Sequence, residues 1–386
     1  MNIQILNNFD EQKIYSAFQN IVIEFGLDQQ PSSPIDKAEI TGLGFPVVLS
    51  ASPRGKFYFN FRMFSKSYIT YKNLQDPIDY EVDEAIISTF SKQDDYFLLH
   101  NIISIIISLK DKTTISKNFN LKYYRAVLDK FRFKQYLFAN PYEINTEFEP
   151  LTLYIFDGYP IDIGVFTKGM LVIRIATTEN YNDSTSSQVV KNNIVEGYQF
   201  TRVILTNGNE FIQTVSGATL LDNISELYVD DTQSFEKPTK IYNVKTIYNC
   251  KGHYLKWLNR SGDYSYFLFS DRYEEEISAN KKGSINNYFK NNDELISPSI
   301  STGKESNREL TLFKNKVDQE MRYFLSDIID SPKVYYYTGF KGKAANEFDW
   351  VEVNITDSSF EINRPKENTW NVFLDVKFPM YQNQVI

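Results

Sequence analysis

The chain has 386 residues, a formal net charge of −8 and a single cysteine. This length exceeds one ordinary core, so we expect two or three domains. The acidic balance disfavours a nucleic-acid binder, and one cysteine excludes an intrachain disulfide and a cysteine-based zinc site. With 42% hydrophobic and 16% aromatic residues, the composition predicts a folded, aromatic-rich and mainly β protein.

No targeting or membrane-spanning segment is visible in the sequence. The first residues lack a basic region followed by an apolar one, which a secretory signal requires. The most apolar stretch, Tyr96–Leu109, is shorter than the about 20 apolar residues of a membrane helix. We therefore expect synthesis in the cytoplasm without export by that route.

The first third alternates apolar and polar residues, which is typical of half-buried strands. Lys56–Phe64 is predicted to be such a strand, with Phe45–Ala51 as its hairpin partner across a turn at Arg54-Gly55. Ile102–Leu109 is apolar on both faces and predicts a fully covered strand, either in a domain core or in a subunit contact.

The middle third reads as a junction followed by short strands. Within Asn118–Pro150, Lys122–Phe138 fits a helix or a strand equally. Polar residues predict a loop over Glu179–Asn193, and Asn207-Gly208 predicts a hairpin within Arg202–Val215. Three further strands, separated by Asp157-Gly158 and Lys168-Gly169, are predicted at Leu151–Phe156, Ile161–Phe166 and Met170–Ala176.

The last third contains the clearest hairpin and the clearest helix. His253–Leu258 and Tyr264–Phe269 flank a four-residue turn that ends at Gly262. Lys316–Ile329 carries its apolar residues on one helical face, with Asn315 placed to cap it. Lys281–Arg308 is predicted to be a polar extended arm, and further strands are predicted at Val334–Tyr337, Phe348–Ile355, Ser359–Asn363 and Trp370–Phe378.

The sequence contains no motif typical of a metal site, a catalytic nucleophile, a phosphate loop or a glycosidase acid pair. His100 and His253 have no metal-ligand spacing, so a core or hairpin role is favoured for both. Cys250 and His253 would point to opposite faces of one strand, which favours an inert thiol. Residues 339–343 lack the Ser or Thr of a phosphate loop. Adjacent acidic residues favour solvated charge over a glycosidase pair, at Asp94-Asp95, Asp230-Asp231 and Glu274-Glu275-Glu276. We predict no catalytic residue, no metal and no cofactor.

Aromatic residues are the remaining candidates. They could pair across strands, line a carbohydrate platform or form subunit contacts. The seven that we single out for a structural hairpin and assembly are Trp257, Tyr264, Tyr266, Phe267, Tyr335, Tyr336 and Trp350.

His253–Phe269, HYLKWLNRSGDYSYFLF, resembles a segment of tail structural proteins encoded by phages and prophages of Bacteroidetes hosts. The resemblance covers about residues 240–386 and includes the helix at Lys316–Ile329, Ser331–Tyr337, Trp350–Val353 and Asn371–Pro379. Distal-tail and tail-adaptor proteins of this kind use β-sandwiches with a helix and long arms to build rings. The resemblance implies no catalytic residue.

We therefore expect a mainly β, multi-domain β-sandwich architecture with one clear helix near residues 316–329. The expected domains are an N-terminal β domain at 1–118, a middle β domain with a long polar loop at 119–240, and a C-terminal β-sandwich at 241–386 with an extended arm at 281–308.

The resemblance implies a structural virion component, a homo-oligomeric ring of the tail or neck whose partners are itself and other tail or neck proteins. Such a protein is made in the host cytoplasm. One alternative is a glycan- or receptor-binding module, adhesin-like, at the host-facing end of the tail. A glycan hydrolase with an acid pair elsewhere in the chain is a third.

Overall fold

The structure is a computed structural model that divides into two compact units. Unit 1 comprises Met1–Thr246 with Arg260–Asp263, and unit 2 comprises Ile247–Asn259 with Tyr264–Ile386. The expected division into three domains stays a prediction. The residues that the structure describes are 1–11, 14–71, 91–93, 98–125, 151–167, 171–177, 186–191, 199–207, 224–231, 240–248, 251–260, 262–286, 299–338, 350–356, 370–379 and 381–385.

The mainly β fold class is confirmed, since strands account for most of the described residues in both units. In unit 1 the strands are β1 (Ile3–Ile5), β2 (Ile14–Ser16), β3 (Val22–Leu27), β4 (Ile35–Thr41), β5 (Val47–Leu49), β6 (Phe57–Asn60), β7 (Ser91–Gln93), β8 (Leu98–Leu109), β9 (Thr114–Tyr124), β10 (Leu151–Phe156), β11 (Pro160–Thr167), β12 (Leu171–Thr177), β13 (Ser186–Lys191), β14 (Gln199–Asn207), β15 (Ile224–Asp231) and β16 (Lys240–Ile247), and the helix is α1 (Arg62–Tyr71).

The N-terminal part of unit 1 is a β-sandwich. A three-stranded sheet, β1-β3-β6, and a five-stranded sheet, β2-β9-β8-β4-β5, enclose one hydrophobic core. Phe25 and Phe57 of the first sheet stack at 5.3 Å, and Ile105 of the second sheet belongs to the same buried cluster. Burial of apolar side chains between the two sheets is the main term that stabilises this arrangement.

The predicted strand at Lys56–Phe64 is wrong in its second half, because α1 begins at Arg62. The Asn60 side chain accepts a hydrogen bond from the Arg62 backbone N–H at 3.0 Å, which supports the first turn of the helix. Phe61 and Phe64 are buried while Met63 is 76% exposed, so burial follows the helical period rather than alternation.

The predicted hairpin partner of that strand is also wrong. β5 pairs with β4, whereas β6 pairs with β3 in the other sheet. The turn itself exists, because the Gly55 N–H donates to the Ser52 carbonyl at 2.8 Å and Gly55 has a φ of 72°. The turn thus carries the chain from one sheet of the sandwich to the other.

The apolar run at Ile102–Leu109 lies in β8, a central strand between β9 and β4. Ile103, Ile105 and Ile107 are fully buried in the sandwich core, but Ile102 is 71% exposed. Within one chain only one face of this strand packs against the core, so the domain-core alternative is wrong for the face that carries Ile102, and the subunit-contact alternative stays a prediction.

The rest of unit 1 contains two further sheets, with strand orders β10-β16-β15-β12-β13 and β11-β14-β7. The three predicted short strands are confirmed as β10, β11 and β12. β10 and β11 lie in different sheets, so the turn at Asp157-Gly158 does not close a hairpin between them. The predicted loop at Glu179–Asn193 is wrong in part, because it contains β13, which pairs with β12.

Unit 2 is built on one eight-stranded sheet with the order β18-β17-β21-β22-β23-β20-β19 and with β24 paired to β20. The predicted hairpin is confirmed, with Leu258 opposite Tyr264 at its closed end. The elements of unit 2 are β17 (His253–Leu258), β18 (Tyr264–Phe269), β19 (Tyr273–Asn286), β20 (Ser299–Val317), α2 (Gln319–Ser326), β21 (Val334–Tyr337), β22 (Trp350–Ile355), β23 (Trp370–Lys377) and β24 (Tyr381–Val385).

The predicted helix of unit 2 is confirmed as α2, but it is shorter than expected. Asp318 caps it by accepting a hydrogen bond from the Met321 backbone N–H at 2.8 Å. Asn315 is therefore not the cap, because β20 continues through Val317. Phe324 of α2 contacts Trp257 and Phe267 of the sheet, at 5.3 and 6.3 Å between ring centroids.

Several sequence predictions lie outside the described residues. They are the ambiguous segment after Arg125, the second strand of the Asn207-Gly208 hairpin, Cys250, the Asp94-Asp95 pair, the loop at 339–343, and the strand at Ser359–Asn363.

Candidate interaction surface

The seven aromatic residues that the sequence singles out lie on four neighbouring strands, β18, β17, β21 and β22. Five of them are buried, Tyr336 and Trp350 are half-buried, and Trp257 has no exposed surface. These side chains therefore build the interior of unit 2. Trp257 offers no surface to a sugar, so a carbohydrate platform that uses it is not available in this conformation.

One face of this sheet holds a lysine among aromatic rings. Lys256 lies opposite Tyr266 on β18 and Tyr335 on β21, and is 1% exposed. Its Nζ lies 4.2 Å from the centroid of the Trp350 ring, 5.0 Å from Tyr335 and 5.2 Å from Tyr264. The negative faces of aromatic rings attract a cation, which offsets part of the cost of removing it from water.

Sequence reasoning missed Lys256, although one signal was present. Lysine is almost never fully buried, and here it stands in the centre of an otherwise apolar and aromatic strand, YLKWL. The aromatic residues that flank and oppose it provided the interaction that a buried ammonium group needs.

The other face of the sheet carries His253, half-buried at the start of β17. Its Nδ1 is 2.9 Å from the Tyr336 hydroxyl, and its ring contacts Tyr273 edge-on at 4.4 Å. Burial lowers the pKa of His253, Glu275 raises it and Arg308 lowers it further, with burial the largest cause. The surroundings therefore disfavour the protonated imidazole.

A buried ion pair in unit 1 was also missed. Arg202 Nε and Nη2 donate to the two carboxylate oxygens of Asp162, at 2.8 and 2.7 Å, and both side chains are fully buried. The two residues lie on the paired strands β14 and β11. This two-point contact joins the strands by charge-assisted hydrogen bonds.

The described residues contain no group of three or more His, Cys, Asp and Glu side chains placed to hold a metal ion. Of the acidic clusters predicted from sequence, Glu274-Glu275-Glu276 lies on β19 with all three side chains exposed. No described helix is long and apolar enough to cross a membrane.

A long exposed part of unit 2 is the antiparallel pair of β19 and the first half of β20, which we call the β-arm (residues 273–286 and 299–308). β19 has 14 residues, which corresponds to about 48 Å of strand. None of its side chains is buried, and Ile277 and Ile285 are 68% and 58% exposed. Where the structure describes the predicted polar arm, at 281–286 and 299–308, it forms an antiparallel ribbon.

The outer edge of β19 pairs with no strand among the described residues, while β20 pairs on its other side with β23 and β24. Like charges face each other between β19 and β20: Glu276 lies opposite Glu309, and Lys281 lies opposite Lys304. Glu309 forms an ion pair with Lys377 at 3.0 Å. Like charges directly opposite disfavour a strand pair, whereas Glu275 with Arg308, at 2.5 Å, and Lys282 with Glu305, at 3.0 Å, form ion pairs across the β-arm.

Comparisons with known proteins add little to this description. No protein-family model matches the sequence, and no curated protein matches it. Among solved structures, the chain is similar to the fibronectin(III)-like modules of Clostridium thermocellum CbhA, with 7% identity and a TM-score of 0.20, over 64% of this chain and 94% of that one. A likeness at this TM-score carries no argument about function.

Proposed function

We propose that the protein is a structural component of a phage virion that assembles into a closed ring in the tail or neck. In this proposal it is made in the host cytoplasm, contacts other copies of itself and flanking tail or neck proteins, and performs no catalysis. Neighbouring copies contact one another through different surfaces, as a closed ring requires.

The observation that carries the proposal is the β-arm. A strand with no buried side chain gains little from burial within its own chain, and the free edge of β19 is a template for pairing with another chain. Natural proteins shorten or cover such edges unless a partner uses them. The resemblance of residues 240–386 to tail structural proteins supplies the virion context.

The buried aromatic sheet supports a mechanical role. Trp257, Tyr266 and Trp350 pack within unit 2, where large rings add apolar contact area and edge-to-face interactions. This interior provides a rigid base for the β-arm, because β20 belongs both to the sheet and to the arm.

The proposal is tested by the mass of the purified chain in solution, measured by light scattering beside electron micrographs. We expect rings of defined copy number, or a monomer that joins particles only when other tail proteins are present. A stable monomer that never assembles and that binds or cleaves a polysaccharide contradicts the proposal and favours an adhesin or a hydrolase.

A matched pair of variants connects assembly to the β-arm. Ile277→Ser with Ile285→Ser removes two exposed apolar side chains from the arm, and we expect assembly to weaken. Met63→Ser removes a comparably exposed side chain from α1 of unit 1 and serves as the control. Equal effects of the two changes would contradict a special role of the arm.

A further inference from the structure

The outer edge of β19 carries a charge pattern that is complementary to itself. Glu274, Glu275 and Glu276 lie near its first end, and Lys281 and Lys282 lie near its last. When two copies of such a strand run antiparallel, the acidic half of each faces the basic half of the other. Opposite charges placed directly across a strand pair are favourable.

We propose that two copies of this protein pair through β19 in an antiparallel, two-fold symmetric arrangement centred on Ser278. The pairing deepens the proposed function, on whose self-assembly it rests, by assigning the free edge of β19 to a two-fold contact between copies of two rings, while neighbours within one ring use other surfaces. The unit 2 sheets of the two copies then form one continuous sheet across the two-fold axis.

Geometry and charge together select this register. Directly opposed residues of an antiparallel pair have their side chains on the same face of the sheet. A two-fold axis normal to the sheet keeps each side chain on its face, so the axis must lie midway between the same residue of the two copies. Centred on Ser278, the pairing places Glu275 opposite Lys281, twice, and brings Glu274 near Lys282, which lies at a break in the register of β19 with β20. Centring on Ala279 opposes only Glu276 and Lys282, and centring on Ile277 opposes no charges of unlike sign.

The pairing would also relieve two unfavourable features of the isolated chain, the facing lysines of the β-arm and an exposed isoleucine. Lys281 faces Lys304 within the β-arm, and a second copy would place Glu275, which is paired with Arg308 in its own chain, on the other side of Lys281. Ile277, 68% exposed, would lie opposite Ala279 of the second copy and lose part of its contact with water. The backbone N–H and C=O groups along the outer edge would gain hydrogen-bond partners.

A charge exchange tests the pairing in the full chain. Glu275→Lys and Lys281→Glu each place like charges opposite one another in a pair of identical copies, so we expect each to weaken self-association about tenfold. An equimolar mixture of the two variants restores both unlike pairs, so association between them should recover to the wild-type level. Asp36→Lys and Lys110→Glu make the same charge changes at exposed positions of unit 1 and should leave association unchanged.

A disulfide tests the register independently of charge. In a Cys250→Ser background, Ser278→Cys places two thiols opposite each other across the axis. Opposed Cα atoms in antiparallel strands are about 4.5–5.5 Å apart, which lies within the range that a disulfide spans. Ser284→Cys is the control, because its two copies would be about 40 Å apart in this register.

We expect a disulfide-linked dimer from Ser278→Cys and none from Ser284→Cys. If the wild type assembles but neither the charge variants nor Ser278→Cys behave as stated, the β19 pairing is wrong and the proposed function stands. If the wild type neither self-associates nor enters particles with other tail proteins, both are wrong.

Discussion

Lys256 and Trp350 form the closest cation–ring contact of the buried sheet in unit 2, with Nζ 4.2 Å from the ring centroid. A lysine that is 1% exposed retains its charge only when its surroundings replace part of the lost hydration. The Trp350 face is one such replacement, and it lies two strands away from β17 in the sheet.

Trp350→Leu should therefore cost more in the wild type than in a Lys256→Met background. We expect a coupling of about 2 kcal/mol, the value for a cation–π contact removed from water. The measurement is the free energy of unfolding in urea, followed by circular dichroism, for the four chains of a double-mutant cycle. Strictly additive effects would contradict the interaction.

Asp162→Asn should strongly destabilise unit 1, because it leaves the buried Arg202 guanidinium without its carboxylate. We expect a loss of about 3–5 kcal/mol in the free energy of unfolding, and a smaller loss for Asp162→Leu with Arg202→Met. Glu24→Gln, which breaks the more exposed pair with Lys56, is the control and should change little. Similar effects at both sites would refute the role of burial.

Stability should fall as the pH falls below the ordinary His pKa of 6.5, because of His253. Burial lowers its pKa in the folded chain, so the unfolded chain binds the proton more readily in this window and protonation favours unfolding. His253→Gln should flatten this part of the pH profile of the free energy of unfolding. His100→Gln, which changes the second, exposed imidazole, should leave the dependence in place.

Gly42→Ala should destabilise the N-terminal sandwich more than Gly44→Ala. Both glycines have positive φ, at 92° and 81°, where an alanine costs about 1–2 kcal/mol. Only at Gly42 would the added Cβ also meet a backbone atom, lying 2.1 Å from the Ile102 carbonyl oxygen. The measurement is the thermal unfolding temperature of the two variants. Equal decreases would show that the contact between the new Cβ and the Ile102 carbonyl oxygen is relieved without loss of stability.

Asp318→Ala should destabilise unit 2 by about 1 kcal/mol, because the Met321 N–H loses the side chain that caps α2. Asn315→Ala should have little effect, since Asn315 takes part through its backbone N–H, which donates to Asp271 at 2.7 Å. Urea unfolding distinguishes them. A larger loss of stability for Asn315→Ala than for Asp318→Ala would instead support Asn315 as the cap, as the sequence predicted.

The sequence predicted local elements well where a short pattern was enough. The hairpin of β17 and β18 and the strand β21 were predicted at the bounds that the structure shows, because alternation and a glycine turn act within a few residues. The closing loop is one residue longer than predicted, and it runs from Asn259 to Asp263. The seven aromatic candidates were also predicted within one region, although their assembly role stays a prediction.

The sequence misled where two periods overlapped. Phe57, Phe59 and Phe61 alternate along the chain, yet α1 begins directly after Phe61. Alternation continued by chance into the helix, and only burial of Phe64 beside exposure of Met63 distinguishes the two periods. The cap at Asp318 was missed for a related reason, since β20 runs through residues that also fit a helix.

The sequence by itself determined that the chain is mainly β and where many strands, one helix and the arm lie, because backbone preference and side-chain alternation are local properties. Only the tertiary structure decided which strands pair, as β5 with β4 rather than β6, and which charges are buried, as at Lys256 and Asp162. Pairing and burial depend on contacts between residues far apart in the chain, whose free energy no short segment encodes.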